Sequence, residues 1–187
     1  LSAMPLASAA TRVGQMLECP ERQLFHLSSR EDITFGPENL GVDGPKIGRT
    51  VEDLSRLLRL HGLLDRSPHR LSAGEAQRVA LAATLALDPP VLVFDQPISH
   101  LDQRSRRDFC DLVRRLAGER RKAIVIAESD TRAPDLRAVA TRTLLLPHLR
   151  GGMPSPAENE SVRTALADPS RDGPVTAPSH PVLAVRD

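Results

Sequence analysis

The stretch Leu71–Asp102, LSAGEAQRVALAATLALDPPVLVFDQPISHLD, reads as a helix, a turn, a buried strand and a carboxylate at the strand's end. Ser72-Ala73-Gly74-Glu75 has the spacing of a capping box. In such a box the Ser hydroxyl caps a backbone N–H near Glu75, and the Glu carboxylate reaches back to the Ser72 amide. Small residues at 73 and 74 leave the first amides uncovered, and a helix N-terminus with open N–H groups attracts phosphate. The helix ends before Asp88-Pro89-Pro90. VLVF then delivers Asp95 to the C-terminal end of a strand, where ligands bind in open α/β sheets. An Asp at that place typically holds Mg²⁺ beside a nucleotide. Taken alone, an S-x-x-E is more often just a well-capped helix. The strand and carboxylate that follow in register change the reading.

Downstream, a helix from Asp102 to about Ala117, a strand AIVIA, a short helix after Pro134 and a strand TLLL continue the alternation. Short apolar strands separated by helices indicate a mostly parallel sheet buried on both faces. Upstream, VGQML reads as a short strand. Gly36-Pro37 and Gly41 punctuate the region that follows it, which predicts loops and short helical pieces. VEDLSRLLRLHGLL, from Val51 to Leu64, places its apolar residues on one helical stripe with Thr50 as N-cap, and Gly44–Thr50 before it reads as a linker turn. Gly151–Asp187 carries six prolines and little apolar periodicity, so a disordered tail is expected there.

Composition narrows the classes. A chain of 187 residues with 40% hydrophobic content suits one ordinary core, or part of a larger domain. Lys and Arg total 25 against 24 for Asp and Glu, and this balance gives no reason to expect a nucleic-acid partner. Cys19 and Cys110 have neither Cys-x-x-Cys nor Cys/His ligand spacing, which argues against a zinc site or a disulfide framework and for a reducing, cytoplasmic setting. No apolar run reaches the ~18 to 20 residues of a membrane helix. His26, His61, His69 and His148 read as isolated surface or loop residues, and Cys110 as core.

The motifs together resemble the nucleotide-binding subunits of ABC transporters. LSAGEAQRVALA is similar to their signature motif, VLVFD to their Walker B strand, and Ser99–Asp102 (SHLD) to their D-loop. LECPERQLFHLSSREDITFGPENLG further resembles the ATPases of energy-coupling-factor importers, which take up vitamins and cobalt or nickel. The resemblance covers roughly Val13 to Arg150. It implies an α/β, P-loop NTPase-like core with a mostly parallel sheet, in which a partial ABC ATPase domain spans 1–150. Within that domain the helical signature subdomain occupies about 19–88, and Walker B with the C-terminal core about 89–150.

The resemblance also implies ATP and Mg²⁺ as cofactors. ATP contacts would come from Ser72, Ala73, Gly74, Glu75, Ser99 and Asp102, and metal contacts from Asp95 and from Glu18 at the Q-loop position. Gln96 stands at the general-base position and Ser129 at the switch-histidine position. The implied partners are a second ABC ATPase subunit, in a homo- or heterodimer, and a transmembrane coupling subunit, with the chain peripheral on the inner face of the cell membrane.

Several family features differ. No Gly-Lys dipeptide occurs, so the family's G-x-x-x-x-G-K-[ST] phosphate loop is expected to precede this sequence; GPKIGRT (Gly44–Thr50) lacks its first Gly and has Arg49 in place of Lys. Gln96 can hold a water but cannot accept its proton. Ser129 is too short to reach a γ-phosphate and carries no imidazole. Glu18 adds a carboxylate that either ligates metal or repels the nucleotide. These losses fall on the half-site a subunit provides for its own nucleotide, whereas the signature and D-loop persist. The expectation is a degenerate subunit, inactive alone, that donates its signature in trans to an intact partner ATPase. The alternatives are a scaffold docking on a membrane subunit through the loop around Pro20–Gly36, and a truncated or decayed gene fragment, which the initial Leu favours.

Overall fold

The computed structural model describes residues 5–99, 101–129, 134–145 and 182–186. Two units divide between Asp95 and Gln96, somewhat beyond the boundary near 88 that the motifs suggest.

The first unit contains α1 (Leu6–Ala10), β1 (Val13–Met16), a 3-10 turn at Pro20–Gln23, α2 (Ser29–Asn39), α3 (Gly44–Leu58), α4 (Ala73–Leu85) and β2 (Val91–Asp95). β1 and β2 pair in parallel, from Val13 opposite Val91 to Met16 opposite Phe94. A parallel pair needs a long crossover, and α2–α4 supply it. α4 packs on α2, α3, β1 and the 3-10 turn, burying Ala76, Val79, Ala80, Leu81, Ala82 and Leu85. Its approach to β1 depends on Gly14: a Cβ there would lie 2.7 Å from Thr84 Cγ2 and 2.8 Å from Pro89 Cγ.

Two expectations for this region are corrected. α2 runs through Gly36-Pro37 as one helix of 11 residues. A capping box, Ser28 with Glu31, starts it, and Pro37 lies in its last turn, where the lost N–H leaves the earlier turns intact. Gly44–Thr50 is not a linker but the first two turns of α3, so Thr50 is helix interior and the N-cap position falls at Asp43. Pro45 suits a first turn, whose N–H groups lack intrahelical partners anyway. Ile47 then joins Val51, Leu54 and Leu58 on the buried stripe.

The second unit contains α5 (Gln103–Gly118), β3 (Ala123–Glu128), α6 (Pro134–Arg137), β4 (Arg142–Leu145) and β5 (Val182–Arg186). α5 buries Phe109, Cys110, Val113, Leu116 and Ala117 at helical spacing and packs on β3 and α6. β5 lies between β3 and β4 and is parallel to both, with Ile124 opposite Val182 and Arg142 opposite Leu183. The expectation of disorder therefore fails at 182–186, where the short run VLAV finds a strand to pair with on either side. The rest of 151–187 lies outside the described residues, as does His148. Helices joined to parallel strands in each unit agree with the α/β class expected from the sequence.

Candidate functional site

The N-terminus of α4 is built by the capping box that the sequence predicts. The Ser72 N–H and Ser72 Oγ both donate to Glu75 Oε2 at 2.8 Å, and the Glu75 N–H donates to Ser72 Oγ at 3.4 Å. The hydrogen bonds from the Ser72 amide and then its hydroxyl hold the Glu75 carboxyl below the usual glutamate range. Ser72 and Ala73 are exposed, and a Cβ on Gly74 would meet nothing within 4 Å. The first turn of α4 is thus capped on its own side, exposed at Ser72 and Ala73, and has open space where a Gly74 Cβ would stand.

Asp95 ends β2, half-buried. The chain then turns sharply: Gln96 has φ 48°, in the left-handed region. Its N–H donates to Ala127 O at 2.8 Å, and its carbonyl accepts from Ser99 Oγ at 2.9 Å and from the Ser99 N–H at 3.3 Å. The Gln96 side chain reaches the end of β3. Because an ionised carboxylate only accepts, its amide nitrogen faces Glu128, donating to Glu128 Oε1 at 2.8 Å and to Ser129 Oγ at 2.9 Å, while its oxygen accepts from the Ser129 N–H at 3.3 Å. The structure therefore brings together Gln96, Ser99 and Ser129. Asp102 caps α5 instead, accepting from the Ser105 N–H at 2.8 Å, and this bond lowers its carboxyl below the usual aspartate range.

Glu128 is absent from the sequence-derived set, yet it is the buried carboxylate of this cluster, 4% exposed. The strand was expected to end at Ala127, one residue short. Extending the alternation Ile124, Ile126 by two would have put a carboxylate on the buried face.

Glu18 is exposed just before the 3-10 turn. Gln23 of that turn folds back on β1, accepting from the Leu17 N–H and donating to Gln15 O. Beyond it His26, expected to be isolated, is not: its Nδ1 lies 2.9 Å from Asp32 Oδ1, and its ring stands against those of Phe25 and Phe35. Phe25, Leu27 and Phe35 remain 63%, 86% and 44% exposed, an apolar surface within the segment 20–36.

Parallel strands with crossover helices, a capped and open helix start, and a carboxylate ending the strand after it are the features of an ATP-binding cassette. Comparison with solved structures agrees on the fold. The protein cbiO1 from Clostridium perfringens, part of the ABC transporter complex cbiONQ, superposes with a TM-score of 0.62 at 29% identity, over 66% of this chain and 49% of that one. A dimeric ATP-binding cassette in a post-hydrolysis state with ADP and Pi gives 0.58 at 22% identity, over 66% and 55%, which speaks to the fold alone.

Residues 8–99, just under half of the chain, match the family model described as ABC transporter. The chain is 36% identical over 114 residues to the energy-coupling factor transporter ATP-binding protein EcfA of Carboxydothermus hydrogenoformans, covering 61% of this chain and 42% of that protein. It is 40% identical over 115 residues to EcfA of Methanoculleus marisnigri, covering 62% and 42%. The chain thus spans less than half the length of these relatives.

Proposed function

We propose that the chain is an ATP-binding component of an energy-coupling-factor type importer that presents its Ser72–Glu75 signature and the segment Ser99–Asp102 to a nucleotide held by a second ATPase subunit. The observation that carries this reading is the first turn of α4, capped by Glu75 yet exposed at Ser72 and Ala73 and with open space where a Gly74 Cβ would stand. Oriented N–H groups with the positive end of a helix behind them suit a phosphate oxygen. ATP with Mg²⁺ would supply the scissile phosphoanhydride and its charge neutralisation. This chain's residues fit part of that group: the amides at 73 and 74, outside the Ser72–Glu75 capping bonds, suit phosphate, and the half-buried Asp95 suits the metal. Gln96 does not suit a general base. An amide cannot accept the water's proton, and its nitrogen is engaged by Glu128 and Ser129. The base is therefore assigned to the partner subunit.

A transmembrane coupling subunit is the second partner in this reading, docked on the apolar surface of Phe25, Leu27 and Phe35. Among the described residues no helix is long and apolar enough to cross a membrane, which suits a peripheral place on its inner face. The transported substrate, a vitamin or a metal such as cobalt, would be chosen by a separate membrane protein.

The test is phosphate release by an intact partner ATPase with and without this chain. Stimulation that Ser72→Arg abolishes supports the proposal, since a long side chain at that position covers the α4 amides. No stimulation, or stimulation indifferent to Ser72→Arg, overturns it and favours a scaffold.

A further inference from the structure

We propose that Glu128 is a positioning residue: its buried carboxylate holds the turn at residues 96–99, and with it the way Ser99 is presented, from the end of β3.

The case starts from the strand. β3 alternates buried and half-buried residues, and Glu128 takes the place after Ile124 and Ile126 on the buried face. A carboxylate removed from water must be matched by donors. Among the described residues, donors reach it from at least two places far apart in sequence. The Ser129 N–H donates to Oε1 at 3.0 Å, next door in the chain. The Gln96 amide donates to Oε1 at 2.8 Å, and the Ile98 N–H to Oε2 at 3.4 Å, across 32 and 30 residues.

Gln96 and Ile98 belong to a turn that its own Ser99-to-Gln96 bonds close and that Glu128 ties to the end of β3. Gln96 sits at positive φ without being glycine, a conformation that persists only where the surroundings impose it. The Gln96 carbonyl is the acceptor for both Ser99 Oγ and the Ser99 N–H. Glu128 grips the turn at one side chain and one amide, and Ser99 follows the carbonyl between them. The pair also explains the amide at 96: a second carboxylate there would lie 2.8 Å from the first. The consequence for a partner's nucleotide rests on the function proposed above; the positioning itself does not.

The experiment is residue-resolved amide hydrogen exchange on the full chain, comparing wild type with Glu128→Gln, Gln96→Ala, Gln96→Glu and the swapped pair Gln96→Glu/Glu128→Gln. Exchange at Ile98, Ser99 and Ser129 is expected to rise about tenfold or more in each single variant, since each loses a charge-assisted bond or gains a repulsion. Ile124 and Ile126 should be unchanged, and the swapped pair should return towards wild type. Unchanged protection at Ile98, Ser99 and Ser129 overturns the proposal. So does a uniform rise along β3 in Gln96→Ala, or a swapped pair no better than Gln96→Glu alone. Phosphate release with the partner ATPase is measured on the same proteins. A wild-type chain that gives no stimulation there counts against the proposed function, while the exchange data still decide the role of Glu128.

Discussion

The imidazole Nδ1 of His26 lies 2.9 Å from Asp32 Oδ1, and that same oxygen accepts from the Phe25 and His26 amides at 3.0 and 3.2 Å. One buried carboxylate on α2 thus holds the loop that exposes Phe25 beside Phe35. Asp32→Ala removes these bonds together and is expected to destabilise the fold by about 2–3 kcal/mol, in the range for bonds to a charged acceptor. Urea unfolding measures it, and a midpoint equal to wild type would show that the loop holds its shape without Asp32.

Acid should loosen the start of α4 before the rest. The Glu75 carboxyl is held below its usual value of 4.5, first by the Ser72 amide and then by the Ser72 hydroxyl. A lowered folded-state value means that the capping contribution is complete above the ordinary glutamate range and is lost as pH falls through the folded value. Exchange at the first-turn amides, corrected for its intrinsic pH dependence, should therefore rise below about pH 4.5. Ser72→Ala should cost about 1 kcal/mol at neutral pH and flatten that response. Asp102, lowered first by the Ser105 N–H, should act the same way on α5.

Gly14→Ala tests the packing of α4 on β1. The added methyl would sit inside contact distance of Thr84 and Pro89, so an overpacking loss of about 1–3 kcal/mol is expected. A melting temperature equal to wild type would mean that Thr84 and Pro89 yield without loss.

Ile47 and Arg49 separate a helix from a linker at 44–50. Ile47 is buried and Arg49 exposed on the first turns of α3. Ile47→Ala should cost at least about 2 kcal/mol and Arg49→Ala within about 0.5 kcal/mol, both read by urea unfolding. Equal, small effects would return the segment to the linker expected from its Gly and Pro content.

What the sequence alone determined lies within a few residues along the chain. The box Ser72–Glu75, the strand ending at Asp95 and the start of α5 at Asp102 are contacts of i to i+3 or runs of strand period, so the residues that make them stand together in the text. The family resemblance rests on the same local blocks. Composition misled where a helix tolerates what usually breaks it: Pro45 in a first turn and Pro37 in a last one disrupt little.

Only the tertiary structure decided the rest, because those contacts join residues that spacing does not relate. Glu128 meets Gln96 across 32 positions, and β5 enters between β3 and β4 from the far end of the chain. A buried carboxylate must find donors wherever the fold brings them, and a strand is stabilised by the partners beside it. The identity of a residue names what it needs; the fold alone says which residue supplies it.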